Sequence, residues 1–247
     1  MQKVTLLMMD LNTAFSQGIY QQKIIRLCKR QNILYGFTTT GSYQDCLYPI
    51  NVLNKFTPHF LFTHTGTELY QYTPGGEYQL DNRFGLLVAA DWPGNHTLIN
   101  ALQILEDCRL VSRGNYYLAY QLEGIITRNV ADYILSGFPV QTRISNQGYL
   151  EILPRQAGDR LCLQFLAEHF QLSPVTVVTC CSPGLNSGED FPFFRLIISK
   201  FFENPDPAQA DNNRQYRATS PGSRGIWEGL CELLGILNPK WAFTGTL

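Results

Sequence analysis

The sequence predicts an α/β protein: a parallel sheet with helices on both faces, plus a smaller inserted α+β lid. Three observations carry that prediction. Short continuous apolar runs, as in strands buried on both faces, alternate with helix-period segments near the amino end and again after about residue 150. Between these stretches the pattern changes to a strand of alternating aromatics flanked by helix candidates. With 45% hydrophobic and 16% charged residues in 247 positions, the chain has the composition of one packed domain, or of a core with a smaller partner, rather than of a disordered segment.

Val4 to Met9 is the first apolar run and ends at Asp10. Ile19 to Arg30 reads as a helix, because Ile24, Ile25, Leu27 and Cys28 recur among charges. Ile33 to Phe37 is a second strand that runs into Thr38-Thr39-Thr40-Gly41, and His59 to Thr65 is a third. Glu68 to Tyr72 and Glu77 to Leu80 flank the turn Thr73-Pro74-Gly75-Gly76, which is a hairpin signal. Strands alternating with helices imply βαβ connections and a parallel sheet. From about 85 to 150 the expected elements are a helix over His96 to Cys108, a strand over Tyr116 to Leu122, a helix over Asn129 to Ser136 and a strand over Val140 to Ser145. After Leu150 to Pro154 the parallel pattern returns: a helix from Asp159 to Phe170, strands at Val175 to Cys181, Leu196 to Ser199 and Tyr216 to Ala218, and a closing helix at Ile226 to Leu234. Asn204 to Asn213 is polar and turn-rich, hence a surface loop. The expected division is a discontinuous core, 1–84 with 151–247, and a lid at 85–150.

Charge excludes some partners. Twenty acidic against 19 basic residues give a net charge of −1, so the broad positive field that binds nucleic acid backbones is missing. No apolar stretch approaches a membrane span, and the amino end lacks the apolar core and cleavage site of a signal peptide. Seven scattered cysteines without a Cys-x-x-Cys pair suit reduced, structural thiols and a cytoplasmic location. The Asn95-His96-Thr97 sequon then has no use.

Open parallel sheets bind ligands beyond the carboxyl ends of their strands. Three polar clusters fall there: Asp10-Leu11-Asn12-Thr13, Thr38-Thr39-Thr40-Gly41-Ser42, and Ser182 to Asp190. A carboxylate after the first strand can serve as nucleophile or magnesium ligand, a hydroxyl-rich glycine loop can donate to phosphate, and an acidic loop can complete a metal site. Each type also serves as a helix cap or a plain loop.

Their order makes the sequence recognisable. Leu6-Leu7-Met8-Met9-Asp10-Leu11-Asn12-Thr13, Thr40-Gly41-Ser42-Tyr43, Gly66-Thr67-Glu68-Leu69-Tyr70, Glu151-Ile152-Leu153-Pro154, Leu185 to Asp190, and Tyr216 to Thr219 with Gly225 to Leu230 follow one another over essentially the whole chain. In that order they resemble the sucrose-phosphatase family of the haloacid-dehalogenase-like superfamily. The resemblance implies a Rossmann-like haloacid-dehalogenase core with a lid. It also implies an Asp nucleophile that attacks phosphorus, a second Asp two positions later that protonates the sugar oxygen, a charge-balancing Lys, and magnesium on the carboxylates. Asp10 takes the nucleophile position, and Thr40 and Gly41 take the phosphate-binding positions. The metal set becomes Asp10, the backbone carbonyl of Asn12, Asn186 and Asp190, a weak or absent magnesium site.

The departures from the family lie where its chemistry lies. Asn12 replaces the general acid, and an amide has no proton to give; losing a general acid costs about 10²–10⁴-fold. Asp159 stands where the Lys belongs, which turns an attraction of roughly 3 kcal/mol at about 5 Å into a repulsion. Arg160 beside it differs from Lys in shape and reach. The first carboxylate of the acidic loop becomes Asn186, or Ser182 if the strand is aligned without a gap. In the lid, Tyr117 replaces a Lys that reaches the substrate; it can stack on a sugar, or simply fill the lid core.

The expectation is therefore a sucrose-phosphatase-like pseudoenzyme, a sugar-binding or regulatory protein linked to sucrose metabolism. The alternative is an active magnesium-dependent sugar-phosphate phosphatase that uses Asp10 as nucleophile. Sugar or sugar phosphate is the expected ligand, and sucrose-phosphate synthase a candidate protein partner. The family occurs in cyanobacteria and plants, so the resemblance implies a photosynthetic source. Trp241-Ala242-Phe243 offers either a partner surface or a tail that packs on its own domain.

Overall fold

The structure, a computed structural model, describes residues 3–16, 18–52, 57–145, 148–181, 192–198 and 215–236. Asn186, Asp190, the loop at 204–213 and Trp241 to Phe243 lie outside these residues.

In chain order the elements begin with β1 (Leu6–Asp10), α1 (Leu11–Ala14), α2 (Gly18–Arg30), β2 (Leu34–Thr38), α3 (Tyr43–Val52), β3 (Phe60–Thr63), β4 (Glu68–Tyr72) and β5 (Tyr78–Leu80). Next come α4 (Asn82–Ala89), α5 (Asn95–Leu102), β6 (Cys108–Gly114), β7 (Tyr117–Leu122), α6 (Ile125–Leu135), β8 (Val140–Ile144) and β9 (Leu150–Pro154). The last are α7 (Asp159–His169), β10 (Val177–Cys181), β11 (Phe194–Ile197), β12 (Gln215–Arg217) and α8 (Gly222–Leu233).

The chain divides into two compact units, one of residues 1–39, 44–61 and 163–247, the other of residues 40–43 and 62–162. In the first, strands run parallel in the order β12-β11-β10-β1-β2. Leu6, Leu7 and Met8 are wholly buried, as the unbroken apolar run requires of a central strand covered on both faces. Helix α2 turns Gln21, Ile24, Ile25, Leu27 and Cys28 inward at helical spacing. On α8, Gly229 lies so close to Leu196 that a Cβ would not fit, which lets helix and sheet approach.

In the second unit β4 and β5 form the expected antiparallel hairpin. A four-stranded antiparallel sheet follows in the order β6-β7-β9-β8. One of its faces carries Leu118, Tyr120, Leu150 and Ile152, which pack against Leu98 and Leu102 of α5 and Ala131 and Leu135 of α6. The other face carries Tyr117, Ala119 and Leu153, together with Glu151 and Arg143, which pair across β9 and β8.

Several elements differ from expectation. Helix α5 stops at Leu102, and Cys108 begins a strand that pairs with β7 through a bulge between Leu110 and Ser112. Hairpin pairing outweighs local helix periodicity there. Helices α3 and α4 were not anticipated; Pro49 inside α3 reads as a breaker, and α4 is announced only by its cap, Asp81. The compact division groups β9 with β7 and β8, with which it pairs antiparallel. Among the described residues no helix is long and apolar enough to cross a membrane.

Candidate active site and its supporting network

Strand β1 ends at Asp10, which stands in register with Thr38 of β2. The chain turns there into α1, with Asp10 as its N-cap: Oδ1 accepts from the Thr13 N–H at 2.8 Å and from the Thr13 hydroxyl at 2.7 Å. One carboxylate oxygen is thus spent on orientation, and Oδ2 makes no hydrogen bond among the described residues. Asn12 is exposed on α1. Its amide can donate a hydrogen bond to a leaving oxygen but cannot transfer a proton. Behind it, Phe15 meets Phe37 edge-on at 5.4 Å, and the Ser16 hydroxyl accepts from the Ser223 N–H at 3.0 Å, tying α1 to the start of α8.

Thr40 and Gly41 follow β2 and belong by packing to the second unit, as do Tyr117 and Asp159. Asp159 is the exposed first residue of α7, followed by exposed Arg160. An anion in a first turn complements the helix dipole, so Asp159 suits the local helix.

Tyr117 is 4% exposed, and its hydroxyl donates to Glu151 Oε1 at 3.0 Å. Its ring lies 5.0 Å from the His64 ring. Burial first, then the Glu151 charge, pushes its phenol well above the usual tyrosine range. Arg143 pairs with Glu151 Oε2 and also donates to the Thr65 hydroxyl.

This network continues through residues that sequence reasoning did not single out for chemistry. Glu68 is 5% exposed and accepts from five donors. The hydroxyls of Thr63 and Tyr70 reach Oε2 at 3.2 Å each. His64 Nδ1 lies 3.2 Å from the same oxygen, and Asn115 donates its N–H at 3.3 Å and its Nδ2 at 2.9 Å to Oε1. Burial by itself would raise the Glu68 carboxyl, but the His64 ring, Asn115 and Tyr70 outweigh it and hold the group below the usual carboxylate range. Asp81 is likewise held low against its burial by Arg83 and the Arg83 and Phe84 N–H groups. Neither Glu68 nor Glu151 carried a sequence signal for this network, since partners such as Asn115 and Tyr117 come from distant segments of the chain.

These shifts set a sign. A carboxyl lowered in the folded state adds stability that is complete above its unfolded value, about 4.3 for Glu and 3.9 for Asp, and is lost as pH falls through the folded value. Melting temperature is expected to fall below about pH 4.3, and Glu68→Gln is expected to flatten that slope in a pH series of thermal melts. An unchanged slope would remove Glu68 from the acid response.

Between β3 and β4 the backbone is left-handed at His64 (φ 45°), Thr65 (φ 62°) and Gly66 (φ 78°). Glycine accepts this freely, whereas such positions in other residues cost about 1–3 kcal/mol each. At Gly66 a Cβ would also come within 2.8 Å of Cys162 Sγ. A cleft of about 290 Å³ in this unit is lined by Glu68, Asp81, Asn82, Leu86, Asn115 and Tyr116. Its two carboxylates spend their acceptors on internal bonds, so a polar ligand there would meet Asn82, Asn115 and Tyr116 instead.

Magnesium takes six oxygens in near-octahedral geometry, usually with one or two carboxylates. At the strand end Asp10 offers one carboxylate, and no group of three or more His, Cys, Asp or Glu that could hold a metal occurs among the described residues. By themselves the described residues do not fit the ion.

The model of the sucrose-6F-phosphate phosphohydrolase family matches residues 4–232. A sucrose-phosphatase from Synechocystis, solved with sucrose and phosphate, is similar at 20% identity and a TM-score of 0.74, covering 94% of this chain and 98% of that one. A haloacid dehalogenase-like hydrolase protein from Bacillus subtilis follows at 17% identity and 0.61, covering 96% and 94%. A protein from Thermoplasma acidophilum gives 9% identity and 0.65, covering 94% and 99%. At these identities the structures establish the fold. No curated protein matches the sequence.

Proposed function

The chain belongs to the sucrose-6F-phosphate phosphohydrolase family, and on that premise we propose that it has lost most or all phosphatase activity and acts as a sugar-binding or regulatory protein linked to sucrose metabolism. One observation carries the reading: the general-acid position holds an amide, exposed Asn12, two residues after a retained and oriented Asp10. Asp159 supports it, since an anion stands at the position of the cation that would balance phosphate. The ligand class is a sugar or sugar phosphate, with the Thr40 hydroxyl and the Gly41 backbone as phosphate donors. That the Synechocystis relative was solved with sucrose and phosphate supports this class.

Thermal melts test the reading. A ligand at about 100 times its Kd adds about 2.7 kcal/mol to the native state, equivalent to roughly 5–11 °C for a chain of this size. Sucrose, sucrose 6-phosphate or inorganic phosphate is expected to produce such a shift. If none does, the cleft is idle, and a pull-down against candidates such as sucrose-phosphate synthase becomes the discriminating measurement.

A second reading is favoured by the unbonded Oδ2 of Asp10. In it that oxygen attacks phosphorus and the phosphorus–sugar oxygen bond breaks, the sugar leaving as an alkoxide that takes its proton from water; a second water then attacks the phosphoryl group on Asp10, breaking its bond to the carboxylate and releasing phosphate. The result is a slow phosphatase, and magnesium dependence would need ligands from outside the described residues. Phosphate release abolished by Asp10→Asn supports this reading; no release at high protein over long incubation rejects it.

A further inference from the structure

We propose that the left-handed turn His64–Thr65–Gly66 is a strained latch that positions the Thr40–Gly41 loop, with His64, Thr65 and Arg143 as positioning residues. What the latch does to a ligand rests on reading Thr40 and Gly41 as phosphate-binding groups; the mechanical link does not.

Thr65 is the outlier that calls for a cause, because a β-branched residue rarely takes positive φ and does so only where its surroundings force it. The surroundings do force it. The Arg143 guanidinium donates to the Thr65 hydroxyl and is itself held by Glu151. His64 is fixed by Glu68 through Nδ1, by the Tyr117 ring, and by the close approach of Gly114, where a Cβ would come within 3.0 Å of the imidazole. The Thr67 hydroxyl donates to the His64 carbonyl at 3.0 Å.

The strained backbone grips the loop. The His64 N–H donates to the Gly41 carbonyl at 2.8 Å. At the far end of the same loop, Tyr43 stacks on Tyr70 at 4.2 Å, and the Tyr70 hydroxyl donates to Glu68. Both anchors of residues 40–43 therefore converge on one buried carboxylate. A loop held at both ends presents its hydroxyl and amide groups in a fixed arrangement, which lowers the ordering cost of binding an anion.

Three variants test this by amide NMR, hydrogen exchange and titration with inorganic phosphate. Thr65→Val keeps the branching and removes the acceptor. It is expected to speed exchange at the His64 N–H about tenfold, the worth of one hydrogen bond, to move the Thr40 to Ser42 amide resonances, and to weaken phosphate binding by a similar factor. Thr65→Gly also loses the acceptor but adopts positive φ without strain, so its loop is expected to stay at the wild-type positions. Arg143→Met is expected to behave like Thr65→Val, and serves if that variant does not fold. A turn that only fills space predicts the opposite order, with glycine the looser variant, and that order overturns the proposal. So does a loop unmoved in both Thr65→Val and Arg143→Met. If the wild type binds no phosphate or sucrose 6-phosphate, the ligand reading fails, and the resonances and exchange rates alone decide the latch.

Discussion

Phosphate release from sucrose 6-phosphate is expected to rise by about 10²–10⁴-fold when Asn12→Asp, Asp159→Lys and Asn186→Asp are combined, and to depend on magnesium. The estimate takes only the general-acid contribution. An alkoxide of a sugar leaves poorly, and on the proposed reading Asn12 stands where the family carries the proton donor. On the same reading Asp159→Lys replaces like-charge repulsion with attraction toward phosphate, which should appear as tighter binding as well as faster turnover. It has a cost, because Asp159 opens α7 and an anion there is worth about 0.3–1 kcal/mol against the helix dipole. A steady-state phosphate assay on the triple variant, with Asn12→Asp alone beside it, measures the gain. Native-like melting with no gain in turnover would mean that the family positions have been wrongly carried onto this chain, and with them the account of a decayed phosphatase.

Glu68→Ala is expected to lower stability by about 3–5 kcal/mol, because several buried donors lose their acceptor at about 1–3 kcal/mol each, or roughly 6–20 °C in melting temperature at this chain size. Glu68 and His64 are both nearly inaccessible, with side-chain exposures of 5% and 9%. Removing the carboxylate strands the His64 ring, two Asn115 donors and two hydroxyls. Glu68→Gln keeps one oxygen as acceptor and is expected to lose less. Denaturant midpoints for both variants, with His64→Ala and the double variant to close a cycle, separate the pair from the rest of the network. A loss below about 1 kcal/mol for Glu68→Ala, a typical surface effect, would show that water replaces the carboxylate.

Much of the fold was legible because apolar periodicity is a local property that burial then enforces. The run Val4 to Met9 predicted a buried strand, and β1 lies between β10 and β2 with Leu6 to Met8 fully covered. The aromatic alternation of Tyr116 to Leu122 likewise became β7. What failed was local pattern without tertiary support. Cys108 to Gly114 carries charges at Arg109 and Arg113 and gave no strand signal, yet pairing with β7 makes it one. Helix α3 runs through Pro49 where the sequence pattern placed no helix.

For the site, the chain alone determined which residue types stand at the positions that the resemblance singles out: an aspartate at 10, an amide at 12, an aspartate at 159 and a tyrosine at 117. Those identities settle what protons and charges are on offer, because chemistry of that kind belongs to the side chain. Only the tertiary structure decided how they are held. Asp10 caps α1 through one oxygen, Tyr117 is committed to Glu151, and Glu68 gathers Tyr70 of its own strand, His64 of the preceding turn and Asn115 of a distant turn. Glu68 and Glu151 look like ordinary surface charges in the sequence, since nothing within a few residues pairs with all their oxygens. Their partners lie up to 47 residues away, and only the folding that buries them makes satisfying those oxygens obligatory.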